Sequence, residues 1–313
     1  MRRDSRRVDA RHAEGGNQRV VAAAGLTEAA TSMSGNYDPS HALREVRYEI
    51  RGKLANRALE LERRGYEIVS LNIGNPGAFG FRTPETMRLA MIENMSSSEG
   101  YCHQKGIFPA REAVVMQQQD RGVPGVTAEH VFIGNGVSEL IDLTLRALLN
   151  PGDEVLVPSP DYPLWTAGVT LNQGKPVHYP CPPETGHEPD LDALRALITP
   201  QTRAIVVINP NNPTGAVYSR RTLDAIVTLA EDNGLVIFSD EIYDEMVYED
   251  AEFVPMATLV ENTLCATFSG LSKVYRACGY RVGWAVISGD MEHAQRYLDA
   301  LELLASLRLC SNV

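Results

Sequence analysis

The amino-acid sequence predicts an α/β protein: a mostly parallel seven-stranded sheet with helices on both faces, plus part of a smaller domain. From Val131 onward, short apolar runs alternate with stretches of helical periodicity. Those runs are almost continuously apolar, as strands buried on both faces must be. Polar clusters rich in Gly and Pro fall at their carboxyl ends, where open α/β sheets bind ligands.

In chain order, residues 1–32 carry six Arg against four acids and no sustained periodicity. Asp4, Asp9, Glu14 and Glu28 argue against a transit peptide, and Val20 to Leu26 is too short an apolar core for a secretory signal. The segment reads as a disordered or mis-assigned extension, with Met33 as the start. Residues 33–80 read as an N-terminal arm and part of the small domain. Within them lie a strap and charged helix over Asp38–Gly65, then a strand in LNIGNPGAFGF that runs into a glycine-rich turn.

Residues 81–313 read as the large domain. Its strand candidates are Val131–Ile133, Glu154–Val157, Lys175–Tyr179, Ala204–Ile208, Leu235–Phe238, Cys265–Phe268 and Gly283–Ile287. Helical periods cover Ser138–Leu149, Leu191–Ala196 and Arg221–Asn233. Alternation of this kind gives right-handed crossovers and a sheet covered on both sides. A last helical pattern, Met291 to Leu309, runs to the end of the sequence with no closing strand, so the C-terminal part of the small domain is expected to be absent.

Composition narrows the function classes. Hydrophobic residues make up 44% and charged residues 22% of 313, as in ordinary globular proteins. A net charge of -11 speaks against non-specific nucleic-acid binding. No run approaches the roughly 18 apolar residues of a membrane span, so the expected location is the cytoplasm. Cys102, Cys181, Cys265, Cys278 and Cys310 form no CxxC pair and read as reduced thiols, most of them buried. No metal site is expected.

The strand-end clusters hold the parts that a phosphorylated pyridine cofactor needs as an electron sink: a lysine for its aldehyde, an acid for the ring nitrogen, and donors for the phenolic oxygen and phosphate. Lys273 follows SGLS at the end of an apolar strand, where a charge is costly unless paired or covalently used; alternatively it is an ordinary loop lysine. Arg281, in GYRVGW, has the bidentate geometry that suits phosphate, and Ser269 and Ser272 offer hydroxyls nearby. Asp240 ends LVIFSD, either as a counter-charge to a pyridinium or as a helix cap. Tyr243 lies one helical turn later. Asn212, in NPNNPTG, is either a turn residue or a donor to O3′ and substrate. Gly136, Val137 and Ser138 open a helix after a strand, a ready anion site. Tyr162, in PDYPLW, either stacks on a ring or packs.

Taken together, GNGVSEL, PSPDYPLW, NPNNPTG, SDEIYDE and SGLSKVYRACGYRVGW resemble the fold type I, class I/II aminotransferases, from about Met33 to the last residue. The bacterial alanine aminotransferases carry similar LNIGNPxxFGF, GYCxxKG and LRLCxNV segments. The resemblance implies pyridoxal 5′-phosphate held as a Schiff base on Lys273, which also shuttles the proton. It implies Asp240 on the pyridine nitrogen and Asn212 and Tyr243 on O3′. Arg281, Ser269 or Ser272, Ser138 and the Gly136–Val137 amides would take the phosphate, and Tyr162 would stack on the ring. It further implies a homodimer in which Tyr101 reaches the partner's phosphate, with Gly74 beside the substrate. The arginine that the family uses for the substrate carboxylate is expected beyond Val313, and where the family often has its phosphate serine this chain has Gly270. The reaction implied is a ping-pong exchange between L-alanine and 2-oxoglutarate. A same-fold lyase, an aminotransferase for another amino acid, or a cofactor-binding but inactive fragment are the alternatives.

Overall fold

The computed structural model describes residues 37–46, 48, 52–248 and 250–311. The extension over residues 1–32 lies outside them. Helices α1 (Lys53–Arg63) and α2 (Glu85–Asn94) bury no residue, and no described residue before Lys105 is buried. Then follow α3 (Phe108–Asp120), β1 (Val131–Asn135), α4 (Val137–Leu148), β2 (Glu154–Ser159), α5 (Pro163–Leu171), β3 (Lys175–Pro180), α6 (Leu191–Ala196), β4 (Thr202–Ile208), α7 (Arg220–Asn233), β5 (Val236–Asp240), β6 (Leu264–Gly270), β7 (Val282–Gly289) and α8 (Gln295–Leu307).

All seven expected strands form, in one sheet ordered β1-β7-β6-β5-β4-β2-β3. Strands β2 to β6 pair in parallel, while β7 runs antiparallel between β1 and β6. The carboxyl ends of the parallel strands and the start of β7 therefore meet at one edge of the sheet.

Strand alternation divides the core between the two faces. In β4, Ala204, Val206 and Ile208 join Phe132, Ile141, Trp165, Phe238 and Phe268 under α4, α5 and α8. Ile205 and Val207 point the other way, to Leu156, Tyr179 and Ile237 under α6 and α7. A smaller cluster joins Val114 of α3 to Val131, Trp284 and Val286. Each fully buried large aliphatic or aromatic side chain contributes about 1.5–3 kcal/mol, enough to hold the strand ends rigid for a site built on them.

The caps follow chain chemistry. Ser219 accepts from Thr222 N at the start of α7, and Gly234 ends it in the left-handed conformation at φ 62°.

Two expectations are corrected. The segment Leu71–Phe81 forms no strand; it is irregular chain, bent at Asn72 and Ile73, leading to a 3-10 turn over Pro76–Phe79. A strand needs a neighbour to pair with, and no described strand lies alongside it. The cysteines are all free, but only Cys181 and Cys265 are buried; Cys102, Cys278 and Cys310 are partly exposed.

Candidate active site

A cavity of about 1060 Å³ opens at the strand-end edge, lined by Lys273, Asp240, Tyr243, Asn212, Tyr162, Arg281, Ser272, Val137, Ser138 and Gly74 among others. Separate segments deliver them: the openings of α4 and β7, the ends of β5 and β6, and the loops around Gly74, Tyr162 and Asn212. Lys273 sits in the turn that leaves β6. Its Nζ donates to the Gly74 carbonyl at 3.3 Å and lies 5.9 Å from the centre of the Tyr243 ring. Burial pushes its ammonium below the usual lysine range; Cys278 and Asp240 oppose that shift and the Arg281 charge adds to it. The approach to Gly74 is close, since a Cβ there would stand 3.3 Å from Nζ.

Asp240 is the last residue of β5 and only 3% exposed. Burial raises its pKa, and hydrogen bonds from Trp165 and Ile242 together with the Lys273 charge pull it back. Trp165 Nε1 donates to Oδ2 at 3.0 Å, and the Ile242 N–H reaches Oδ1 at 3.4 Å. Among the described residues no cation lies within ion-pair distance of this carboxylate. A buried charge so placed favours an added cationic partner. Burial, and then the Asp240 charge, keep Tyr243 a neutral phenol and hence a donor.

The NPNNPTG turn after β4 divides its asparagines by task. Asn209 Oδ1 accepts from Tyr218 N at 2.9 Å, and Asn211 Oδ1 accepts from Thr214 N at 3.1 Å, so both hold the loop. Asn212 lines the cavity.

On the other wall, α4 begins directly after β1. Gly136 has φ 76°, and a Cβ on it would lie 2.4 Å from Arg281 Nη2. The guanidinium thus packs flat on that glycine, donating to the carbonyls of Cys278 at 3.0 Å and Asn135 at 3.3 Å. Guanidinium and helix N-terminus meet at a corner that could hold an anion, and Ser272 lines the same cavity.

The two serines separate. Ser272 lines the cavity, whereas Ser269, at the buried end of β6, lies outside its lining with Oγ 3.4 Å from Asp244 Oδ2. Tyr101 also lies outside the lining, 82% exposed.

Three contributors escaped the sequence reading. Trp165 is fully buried beneath Tyr162, and nothing adjacent in sequence advertises its bond to Asp240. Tyr48, from the N-terminal strap, hydrogen-bonds Tyr162 and, after burial, helps to raise that phenol's pKa. Cys278 lines the cavity, with Sγ 3.5 Å from Asn75 Oδ1; its place between Lys273 and Arg281 was the available signal.

The donor set fits a phosphorylated pyridine aldehyde. It combines an amine of depressed pKa, a buried carboxylate lacking a cation, a phenol facing the amine, and an anion corner with room for no side chain at Gly136.

Comparison with known proteins agrees. The family described as aminotransferase class I and II matches residues 66–312. A glutamate-pyruvate aminotransferase of Escherichia coli is 52% identical over 276 residues, covering 88% of this chain and 68% of that protein. An alanine aminotransferase of Mycobacterium tuberculosis is 49% identical over 272 residues, covering 87% and 63%. The crystal structure of an aminotransferase from Escherichia coli superposes with a TM-score of 0.86 at 51% identity, again covering 88% of this chain and 68% of that one. The fold is thus the expected fold type I architecture, and the chain belongs to the class I and II aminotransferases.

Proposed function

We propose that the protein moves an amino group between L-alanine and 2-oxoglutarate, using pyridoxal 5′-phosphate on Lys273. The observation that carries this reading is the pairing of Lys273 with buried Asp240 across one cavity that ends in the Arg281 corner. The names of relatives about half identical in sequence support the alanine–glutamate pair.

Bound there, the cofactor supplies an electron sink for the bond being broken at the substrate's α-carbon. The protein's own groups do the rest. Lys273 offers an amine whose charged form burial disfavours, able to take the aldehyde and then carry a proton. Asp240 keeps a proton on the ring nitrogen, because a buried carboxylate is stabilised by a cation beside it. Tyr243 and Asn212 donate to the phenolic oxygen, and Tyr162 covers the ring. Arg281, Ser272, Ser138 and the amides that open α4 hold the phosphate; Ser269 bonds Asp244 outside the cavity lining instead. Gly74 leaves space on the substrate side. We further propose a cytoplasmic homodimer in which Tyr101 completes the partner's phosphate site. Among the described residues no helix is long and apolar enough to cross a membrane.

The test is Lys273→Ala. Added pyridoxal phosphate should give wild-type protein a near-visible absorbance band that the variant lacks, and pyruvate formation from alanine should stop. A variant that keeps the band would overturn the assignment.

A further inference from the structure

Trp165 stands in the first turn of α5, three residues after Tyr162, so one turn of helix serves two layers. Tyr162 faces the cavity. Trp165 lies beneath, fully buried, between two rings: Phe238 is stacked at 5.8 Å with an interplanar angle of 28°, and Phe268 stands edge-on at 5.4 Å and 75°. These neighbours fix the indole plane and aim its single N–H at Asp240 Oδ2, 3.0 Å away. Among the described residues, the other oxygen, Oδ1, has only the long 3.4 Å contact from Ile242 N.

The asymmetry matters. A carboxylate with neither oxygen held has no fixed orientation towards a ligand, and one with both fully engaged has little left to offer it. Here one oxygen is anchored by a rigid donor and the other is left for the cavity. We propose that Trp165 is a positioning residue for the cofactor: its indole N–H holds Asp240 ionised and oriented, so that Oδ1 meets the protonated ring nitrogen. This rests on the pyridoxal phosphate reading above and extends it to a residue that never touches the ring.

A purely structural tryptophan would satisfy its N–H on whatever acceptor lay nearest, and its loss would lower stability without altering the ring. Two replacements in the holoenzyme separate these roles. Trp165→Phe removes the donor with some volume. Replacing Trp165 by the benzothienyl analogue of alanine exchanges N–H for sulfur at constant shape, so it decides the matter should the Phe variant fold poorly. The readouts are the ring-nitrogen ¹⁵N resonance of labelled cofactor against pH, the cofactor dissociation constant, and kcat and KM for alanine.

The expected result follows from losing one charge-assisted hydrogen bond to a buried carboxylate. The ring nitrogen gives up its proton about one pH unit lower, the cofactor dissociates about tenfold more readily, and kcat falls about ten- to a hundredfold with KM within about twofold. A sulfur analogue with the wild-type ¹⁵N titration and cofactor affinity overturns the proposal. Wild-type protein that binds no cofactor would instead sink the reading beneath it, so the two failures are distinct.

Discussion

Burial drives Lys273 and Asp240 toward neutrality from opposite sides, lowering the lysine and raising the aspartate. Neither forms an ion pair with a described residue, and both line one cavity. Stability alone would favour apolar residues at such positions, so their presence is informative about chemistry. The same logic applies to Gly136, where space and not charge is the scarce quantity. Its φ of 76° and the 2.4 Å approach of a would-be Cβ to Arg281 exclude a side chain. Gly136→Ala should therefore displace the guanidinium while leaving the core intact, with a backbone cost of about 1–3 kcal/mol. The expected outcome is cofactor affinity reduced about tenfold or more, read by equilibrium dialysis, with the holo-free thermal transition only slightly lowered. Equal affinity in the two proteins would mean that Arg281 does not hold the phosphate.

Elements were legible where burial is two-sided. The central strands read as unbroken apolar runs because both faces of β4 and β5 pack on side chains. Asp240 and Lys273 stood out because they end such runs. Leu71–Ile73 shows the opposite case: its pattern suits a strand, but pairing depends on a neighbour that local sequence does not specify. Trp165 was illegible for a related reason, since its acceptor lies 75 positions away and is reached only by packing α5 over β5. Glu241 is a further long-range effect. It is buried, its Oε1 accepts from Ser239 Oγ at 2.9 Å and Met256 N at 3.0 Å, and burial pushes its pKa from 4.5 to about 7. The folded state thus binds more protons than the unfolded chain between those values, so stability falls as pH rises through that window. Glu241→Gln is neutral throughout. Urea unfolding should find the variant near wild type at the acid end of the window, and more stable by up to about 3 kcal/mol above pH 7. A difference that does not change with pH would show that Glu241 ionises normally.

At the scale of the whole molecule, apolar surface is concentrated on one part of the chain. Leu71, Phe79, Phe81, Ile92, Met95 and Tyr101 are each more than half exposed, while the sheet domain is closely packed. Large apolar side chains left this exposed are candidates for cover by a partner. Tyr101 is the informative residue, because its side chain lies outside the cavity of its own chain. If it serves a partner's phosphate, its effect must cross between subunits, and that is separable by mixing. A Tyr101→Phe chain keeps Lys273 but offers its partner no hydroxyl. A Lys273→Ala chain cannot take the aldehyde but keeps Tyr101. In a mixed dimer, the site built on the first chain's Lys273 would receive the second chain's Tyr101 and be complete. Each parent should bind cofactor weakly or without the absorbance band. Unfolding the two together and refolding them should recover a fraction of sites with wild-type affinity, set by random pairing. Were Tyr101 to act within its own chain, no pairing could assemble a complete site, and the mixture would behave as the sum of its parents.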